Sequence, residues 1–217
     1  MYLNRHQSRN RMSFINRIRN IIVTPKTEWL VISKEVETPT HLLLKIVIPF
    51  LLLDAAAVFI GISFIGVDAL LFKISGLKWG AWFAIRQLLA GISGYYLATY
   101  VIDMLAPAFS SEKNLGRSAQ LVAYSSIPLW IMSVFSIVPT LGVIKILGLY
   151  GIYIFYLGMP LLKKTPEEKQ LLYLVVSLLV SITVLLVSEW IITLVLNQII
   201  GDPYASSLND LRNLFNE

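Results

Sequence analysis

Five apolar segments, each long enough to cross a lipid bilayer, constrain the fold of this chain more than any other feature. They are Leu44–Gly66, Trp79–Leu105, Ala119–Leu141, Gly142–Leu162 and Leu172–Ile200. An α-helix needs about 20 apolar residues to cross about 30 Å of hydrocarbon. With 56% hydrophobic and only 14% charged residues, the chain is too apolar for a soluble domain. The sequence therefore predicts an all-α polytopic membrane protein, a bundle of five transmembrane helices.

The positions of the apolar runs divide the chain into three predicted parts. Residues 1–43 form a basic cytoplasmic leader with amphipathic helices, residues 44–200 the five-helix transmembrane domain, and residues 201–217 a short external tail. The third and fourth runs are separated only by the corner from Pro139 to Gly142. Proline and glycine break helices, so we expect a tight hairpin there.

The distribution of Lys and Arg predicts the orientation of the bundle. Twelve basic residues flank the ends of the runs on the side of the leader, whereas the opposite side has only Lys73, Lys78 and Arg212. Basic residues stay preferentially in the cytoplasm. We therefore expect a multi-pass protein of the cell (inner, cytoplasmic) membrane, with a cytoplasmic amino terminus and an external carboxyl terminus.

The leader allows two interpretations. Met12, Ile15, Ile18 and Ile22 fall on one helical face, which is typical of an interfacial helix attracted to anionic lipid. A disordered basic segment is the alternative. Downstream, Thr24-Pro25 and Thr165-Pro166 predict helix starts in which Thr caps the free amides and Pro takes the first helical position.

Ionisable residues inside apolar runs indicate where function could reside, because each charge in hydrocarbon costs at least about 2.5 kcal/mol. Five such residues occur: Asp54, Arg86, Asp103, Lys145 and Glu189. Depth along the helices predicts a buried cluster of Asp54, Arg86 and Glu189. Lys145 and Asp103 lie nearer the ends, where snorkelling or interfacial pairing, for instance of Asp103 with Lys45, would explain them.

The cluster has a structural and a functional interpretation. Buried ion pairs commonly fix the register of helices without any further role. Alternatively, Asp54 and Glu189 are proton or cation sites whose ionisation Arg86 tunes. The two differ in whether the side chains meet in a dry core or face water.

Motifs of catalysis are absent from the sequence. It has no phosphate-binding loop, His-Glu-x-x-His or Gly-x-Ser-x-Gly, no cysteine, and only two isolated histidines. We therefore expect no enzyme activity, cofactor or metal site. Its basic residues lie beside apolar runs, so we expect the lipid bilayer, and no nucleic acid, as a partner.

Four short segments occur in an order and spacing that resemble a known family. They are Thr24–Trp29, Ala123–Pro128, Leu147–Tyr153 and Tyr156–Pro160. Together they resemble the Yip-type (Ypt/Rab-interacting) family of five-span membrane proteins, particularly its bacterial inner-membrane branch, over about Asn20 to Ile200. The motif residues, with packing as their expected role, are Tyr124, Pro128, Gly148, Tyr150, Gly151, Tyr153, Gly158 and Pro160.

The resemblance implies a compact five-helix bundle with a cytoplasmic amino terminus. Eukaryotic members are associated with Rab GTPases through a longer cytosolic region and an Asp-Leu-Tyr-Gly-Pro type motif. This chain has Gly148-Leu149-Tyr150-Gly151 without the Asp or the Pro, so GTPase binding is not transferred to it.

Two functional hypotheses follow. The first is a non-enzymatic membrane organiser or scaffold that associates with itself, lipid or another membrane protein. The alternative is a small-solute or ion transporter, or a channel-like protein, that uses Asp54, Arg86 and Glu189.

Overall fold

The computed structural model describes residues 14–69 and 72–214, and within them five helical segments are long and apolar enough to cross a membrane. In chain order they are α3 (Pro39–Ile65), α4 (Leu77–Phe109), α5 (Leu115–Ile137), α6 (Val143–Lys163) and α7 (Glu167–Ile199). The predicted all-α membrane fold with five spans is confirmed. Both α3 and α7 begin five residues before the apolar runs, because polar residues continue each helix beyond the hydrocarbon.

Several spans depart from regular α-helix. In α3, π-helical turns occupy Leu43–Val47 and Gly61–Ile65. The α-helical part of α5 stops at Ser125 and resumes at Ile127, just before Pro128, which has no amide hydrogen to continue the hydrogen-bond ladder.

The hairpin between α5 and α6 turns at Val138, which has extended backbone. The chain enters this corner through the 3₁₀ turn Val134–Ile137 and leaves it through the 3₁₀ helix Pro139–Leu149, which becomes α-helical over Tyr150–Lys163. The first third of α6 is therefore 3₁₀ rather than α, a feature that apolar periodicity did not predict.

In the bundle, α4 is the central helix, packing against α3, α7 and the first half of α5. We call the end where α3, α5 and α7 begin the near end, and the other the far end. The largest buried side chains concentrate at the near end, including Trp29, Leu121, Tyr124 and Tyr173. Toward the far end many apolar side chains are exposed, among them Phe64, Leu147 and Leu186.

Two helices precede the spans and pack on the near end: α1 (residues 14–23) and α2 (Pro25–Ile32). Of the face predicted to lie against lipid, Ile18 and Ile22 contact the protein core instead and Ile15 is 65% exposed, while Ile21, outside that face, is fully buried. Met12, the fourth residue of the predicted face, lies outside the described residues. The two helices thus pack on protein rather than lying free in the interface.

At the two predicted helix starts, Thr24 and Thr165 do not cap the free amides as expected. Although α2 does begin at Pro25, the Thr24 side chain caps no amide and instead donates to the Asn20 carbonyl (3.2 Å). At the start of α7 the capping position is Pro166, and Thr165 accepts a hydrogen bond from Ser111 (2.9 Å).

At the far end a short hairpin joins α3 to α4. Strands β1 (Val67–Ala69) and β2 (Phe72–Ile74) pair antiparallel, with Val67 opposite Ile74. Helix α8 (Pro203–Leu214), which follows the last span, packs against β2.

Candidate functional site: a polar cavity within the spans

Asp54 is the most deeply buried of the three predicted cluster residues. It lies on α3 with 1% of its surface exposed. The Gln87 amide of α4 donates to its Oδ2 (2.5 Å). Its Oδ1 has no hydrogen-bond partner among the described residues. A buried carboxylate oxygen without a donor is costly, which marks this position as unusual within an otherwise apolar helix.

Arg86 and Glu189 form an ion pair between α4 and α7. The guanidinium Nη2 lies 2.7 Å from Glu189 Oε2, and Nε donates to Thr193 Oγ1 at 3.2 Å. The guanidinium carbon also lies 5.9 Å from the ring centroid of Trp82. Both side chains of the pair are about one-third exposed, so they cross-link the two helices at a partly open surface.

The structure therefore separates the predicted cluster into two pairs. Neighbouring residues of a helix point about 100° apart, so Arg86 reaches α7 while Gln87, the next residue, reaches Asp54 on α3. Gln87 was not among the predicted site residues because its neutral amide carries no charge that would distinguish it within an apolar run.

Asp54 and Gln87 of the first pair and Glu189 of the second nevertheless line a single cavity of about 300 Å³. Its polar lining comes from all of α3 to α7: Asp54, Gln87, Ser93, Ser126, Ser133, Lys145, Ser188 and Glu189. Asp54 and Glu189 each lie ~15 Å from the far end of their spans. Lys145 lines the cavity, so snorkelling to the surface is not needed to explain it.

An apolar cleft of about 320 Å³ adjoins this cavity. The two share Val122, Ser126, Leu129 and Leu185 as walls. The cleft continues between the α5–α6 hairpin and α7, past Gly148, Gly151 and Ile182. The polar cavity and the apolar cleft are thus contiguous within the spans.

A second polar cluster, at the near end, was not predicted. Lys163 is completely buried and its ammonium lies 3.0 Å from Asp103 Oδ1 and 2.7 Å from Ser118 Oγ. The prediction that Asp103 pairs with Lys45 is wrong, since Lys45 pairs with Glu37 (2.9 Å). Lys163 directly follows the fourth apolar run, Gly142–Leu162, so only its buried position in the fold identifies its partner.

The first part of the family motif forms the anchor of α2. Trp29 packs edge-on against Tyr124, with ring centroids 6.0 Å apart, and its indole nitrogen donates to the Ile154 carbonyl (2.9 Å). A Cβ added at Gly158 would lie 2.7 Å from the Trp29 ring. Gly158 therefore provides the slot in which this tryptophan sits.

The remaining glycines of the motif hold α6 close to α5. A Cβ at Gly151 would lie 2.2 Å from the Ser125 carbonyl oxygen, and one at Gly148 would lie 2.6 Å from the Leu129 Cα. These are backbone contacts that cannot move aside. The hairpin is thus a close helix contact of the kind that small residues allow in membranes.

The other motif residues have separate positions. Tyr150 donates to the Ile22 carbonyl (3.0 Å) and stacks obliquely on Tyr153, with centroids 5.6 Å apart. Pro128 is buried after the break in α5, whereas Pro160 is exposed inside α6. Thus Tyr124, Gly158 and Tyr150 all touch the amino-terminal helices or their anchor.

Charged groups fix α1 and α2 to one another and to α5. Arg17 forms a two-bond contact with Glu35 (2.7 and 2.9 Å) and approaches Glu28. Burial disfavours its charge, but the facing Tyr124 hydroxyl and the two carboxylates raise the pKa of Arg17 overall. Arg117, from α5, donates to the Glu35 carbonyl (2.9 Å). The surface formed by α1 and α2, which we call the near-end surface, is therefore fixed in position.

Among residues 14–69 and 72–214, no group of three or more His, Asp or Glu is placed to hold a metal ion. The chemistry available in the polar cavity is therefore that of one carboxylate, one ammonium, an ion pair and several hydroxyls.

Comparison with known families gives one match. A family model described as the Yip1 domain matches residues 19–188, which is more than three-quarters of the chain. Comparison with curated proteins and with solved structures finds no match.

Proposed function

This chain belongs to the Yip1 domain family, and from that premise we propose that it is a non-enzymatic membrane organiser that associates with itself, lipid or another membrane protein. The observation that supports this most strongly is the anchored state of α1 and α2. Their position is set by Trp29, Arg17 and Arg117 rather than by lipid contact alone.

An anchored surface is suited to recognition because its conformational entropy is already lost before a partner binds. Arg19, Lys26 and Lys34 are exposed on it. Anionic headgroups or an acidic partner segment match this charge. In the proposed orientation, with the amino terminus in the cytoplasm, the surface lies at the cytoplasmic face.

Releasing α2 tests the organiser proposal. The natural chain has no cysteine, so Lys34→Cys provides a single site for short thiol cross-linkers in native membranes. We expect discrete cross-linked species, which Trp29→Ala abolishes because α2 no longer has a fixed position. Trp190→Ala, a tryptophan that is 64% exposed toward the lipid, is the matched control and should leave them unchanged. If Lys34→Cys gives no cross-linked species, alone or combined with either tryptophan substitution, the proposal is contradicted.

A second candidate function, solute or ion transport, is favoured by one observation. Asp54, Lys145 and Glu189 line one shared cavity instead of lying apart in a dry core. Against an open channel stands the packed near end, where Trp29, Tyr124 and Tyr173 fill the bundle.

Flux measurements separate the two candidates. In vesicles reconstituted with the pure protein, transport predicts a protein-dependent flux of at least one small ion or solute that Asp54→Asn or Glu189→Gln abolishes. Asp68→Asn, on the exposed hairpin, is the matched control. The organiser proposal predicts no flux above empty vesicles, and a flux sensitive to Asp54 would establish transport instead.

A further inference from the structure

We infer that the polar cavity and the apolar cleft together hold one zwitterionic phospholipid whose headgroup carries a primary ammonium and a phosphate. This goes beyond the organiser proposal, since it concerns cavities inside the spans rather than the exposed surface of α1 and α2, and it would stand even if that surface bound nothing.

The charges that face the polar cavity are the first step. Four titratable side chains line it: Asp54, Tyr95, Lys145 and Glu189. Arg86 neutralises Glu189, and the Tyr95 hydroxyl donates to the Pro39 carbonyl (2.9 Å). Lys145 forms no salt bridge with any residue that the structure describes. One carboxylate and one ammonium therefore remain without an ionic partner.

Asp54 selects the positive group of the ligand. Its Oδ1 is buried and lacks a hydrogen-bond donor among the described residues. A buried acceptor of this kind is stabilised by an N–H donor, and most by a charged one. A primary ammonium has three such donors, whereas a quaternary ammonium has none. The site thus favours an ethanolamine-type group over a choline-type group.

Lys145 selects the negative group of the ligand. It lines the polar cavity together with Asp54, and it lies on the same 3₁₀ helix as Gly148 and Leu149, which line the apolar cleft. A phosphate at Lys145 and an ammonium at Asp54 can therefore share the polar cavity while an attached acyl chain lies in the adjoining cleft. A phospholipid joins these three groups covalently.

The apolar cleft indicates a lipid rather than a free solute. Leu129, Leu149, Ile152 and Ile182 line it and are each more than one-third exposed, and they lie on spans that face hydrocarbon. Its inner wall also has hydroxyls, from Ser177 and Ser181. An acyl chain can enter this cleft laterally and remain attached to a headgroup in the polar cavity.

Lipid binding in mild detergent tests the inference. Native mass spectrometry of the purified full chain would be titrated with phosphatidylethanolamine, phosphatidylcholine, phosphatidylglycerol and soluble phosphoethanolamine. We expect one phosphatidylethanolamine to bind about tenfold or more tightly than the other three, which corresponds to about 1.4 kcal/mol. Asp54→Asn and Lys145→Gln should each remove this preference. Their matched controls, Asp68→Asn and Lys164→Gln, are exposed and should keep it.

A second measurement uses the wild-type chain and so does not depend on the folding of any variant. Phosphatidylethanolamine with a photoreactive group in its acyl chain should label the cleft, at Ile152, Ser181 or Ile182. The inference would be overturned if phosphatidylglycerol bound as tightly as phosphatidylethanolamine, or if Asp54→Asn bound phosphatidylethanolamine undiminished. Labelling confined to other surfaces would also overturn it. Soluble phosphoethanolamine that competes as well as the lipid would replace the lipid by a free solute and also overturn it.

Discussion

At the scale of single residues, Lys163 is the clearest case of a charge whose burial is fully compensated. Its three ammonium hydrogens have three acceptors, namely Asp103 Oδ1, Ser118 Oγ and the Asn114 carbonyl. Asp103 Oδ1 also accepts the Asn114 amide (2.7 Å). The cluster therefore ties the end of α4 and the end of α6 to the start of α5.

Removing one partner of this pair should be far more costly than removing both. We expect Lys163→Met or Asp103→Leu alone to lower the free energy of unfolding by about 3–5 kcal/mol, because either change leaves an uncompensated buried charge. The double variant should lose less free energy of unfolding than either single variant, because it leaves no charge without its partner. Reversible unfolding in mixed micelles provides the measurement.

The neighbouring residue supplies the control for that experiment. Lys164 is paired with Glu112, but the pair is exposed. Lys164→Gln should therefore change the free energy of unfolding by no more than about 1 kcal/mol. Equal effects of Lys163→Met and Lys164→Gln would show that the buried pair is not a stabilising contact.

At the scale of elements, the position of α2 depends on a glycine of α6. A Cβ at Gly158 would meet Leu121 at 2.6 Å and the Trp29 ring at 2.7 Å. Both neighbours are themselves fully buried. Neither can yield without displacing the core of the near end.

Gly158→Ala should therefore loosen α2 without unfolding the spans. We expect the backbone amide hydrogens of α2 that follow Pro25 to exchange with deuterium at least about tenfold faster, since a local opening costs less once Trp29 is displaced. The comparison is Gly94→Ala, whose Cβ would meet only the flexible tip of Leu185 at 3.1 Å. Unchanged exchange in α2 would mean that Trp29 does not anchor it.

At the scale of the whole molecule, the bundle is asymmetric between its two ends. Five helix ends and two additional helices fill the near end with aromatic and aliphatic side chains. The polar cavity and the apolar cleft lie deeper inside the spans, at mid-depth, and are lined by residues such as Asp54, Ser126 and Ser181. Recognition at one face and ligand binding within the membrane can therefore occupy different parts of one fold.

Orientation is a property of this scale, and the absence of cysteine makes it measurable. Single cysteines at Ser110, between α4 and α5, and at Lys73, in β2, report opposite ends of the bundle. With the amino terminus in the cytoplasm, a membrane-impermeant maleimide should label Lys73→Cys on intact cells and Ser110→Cys only after permeabilisation. The reverse pattern, or the same accessibility at both sites, would contradict the orientation that the Lys and Arg distribution predicts.

The sequence by itself determined the number of spans and the family. Apolar runs of spanning length have no stable place except across a bilayer, whatever their neighbours are. The motif segments around Tyr124, Gly148 and Gly158 were likewise visible as sequence. Asp54, Arg86 and Glu189 could be selected because a charge in an apolar run is conspicuous without knowledge of the fold.

Only the tertiary structure decided which of these charges meet. Whether Asp54 contacts Arg86 or Gln87 depends on the rotation of α4 about its axis, and whether Asp103 contacts Lys45 or Lys163 depends on which helix lies beside it. Hydropathy sets the depth of a residue but not the rotation of a helix or its neighbours, because these are fixed by close packing at positions such as Gly151 and Gly158. The partners of the buried charges, and the cavity between them, follow from that packing.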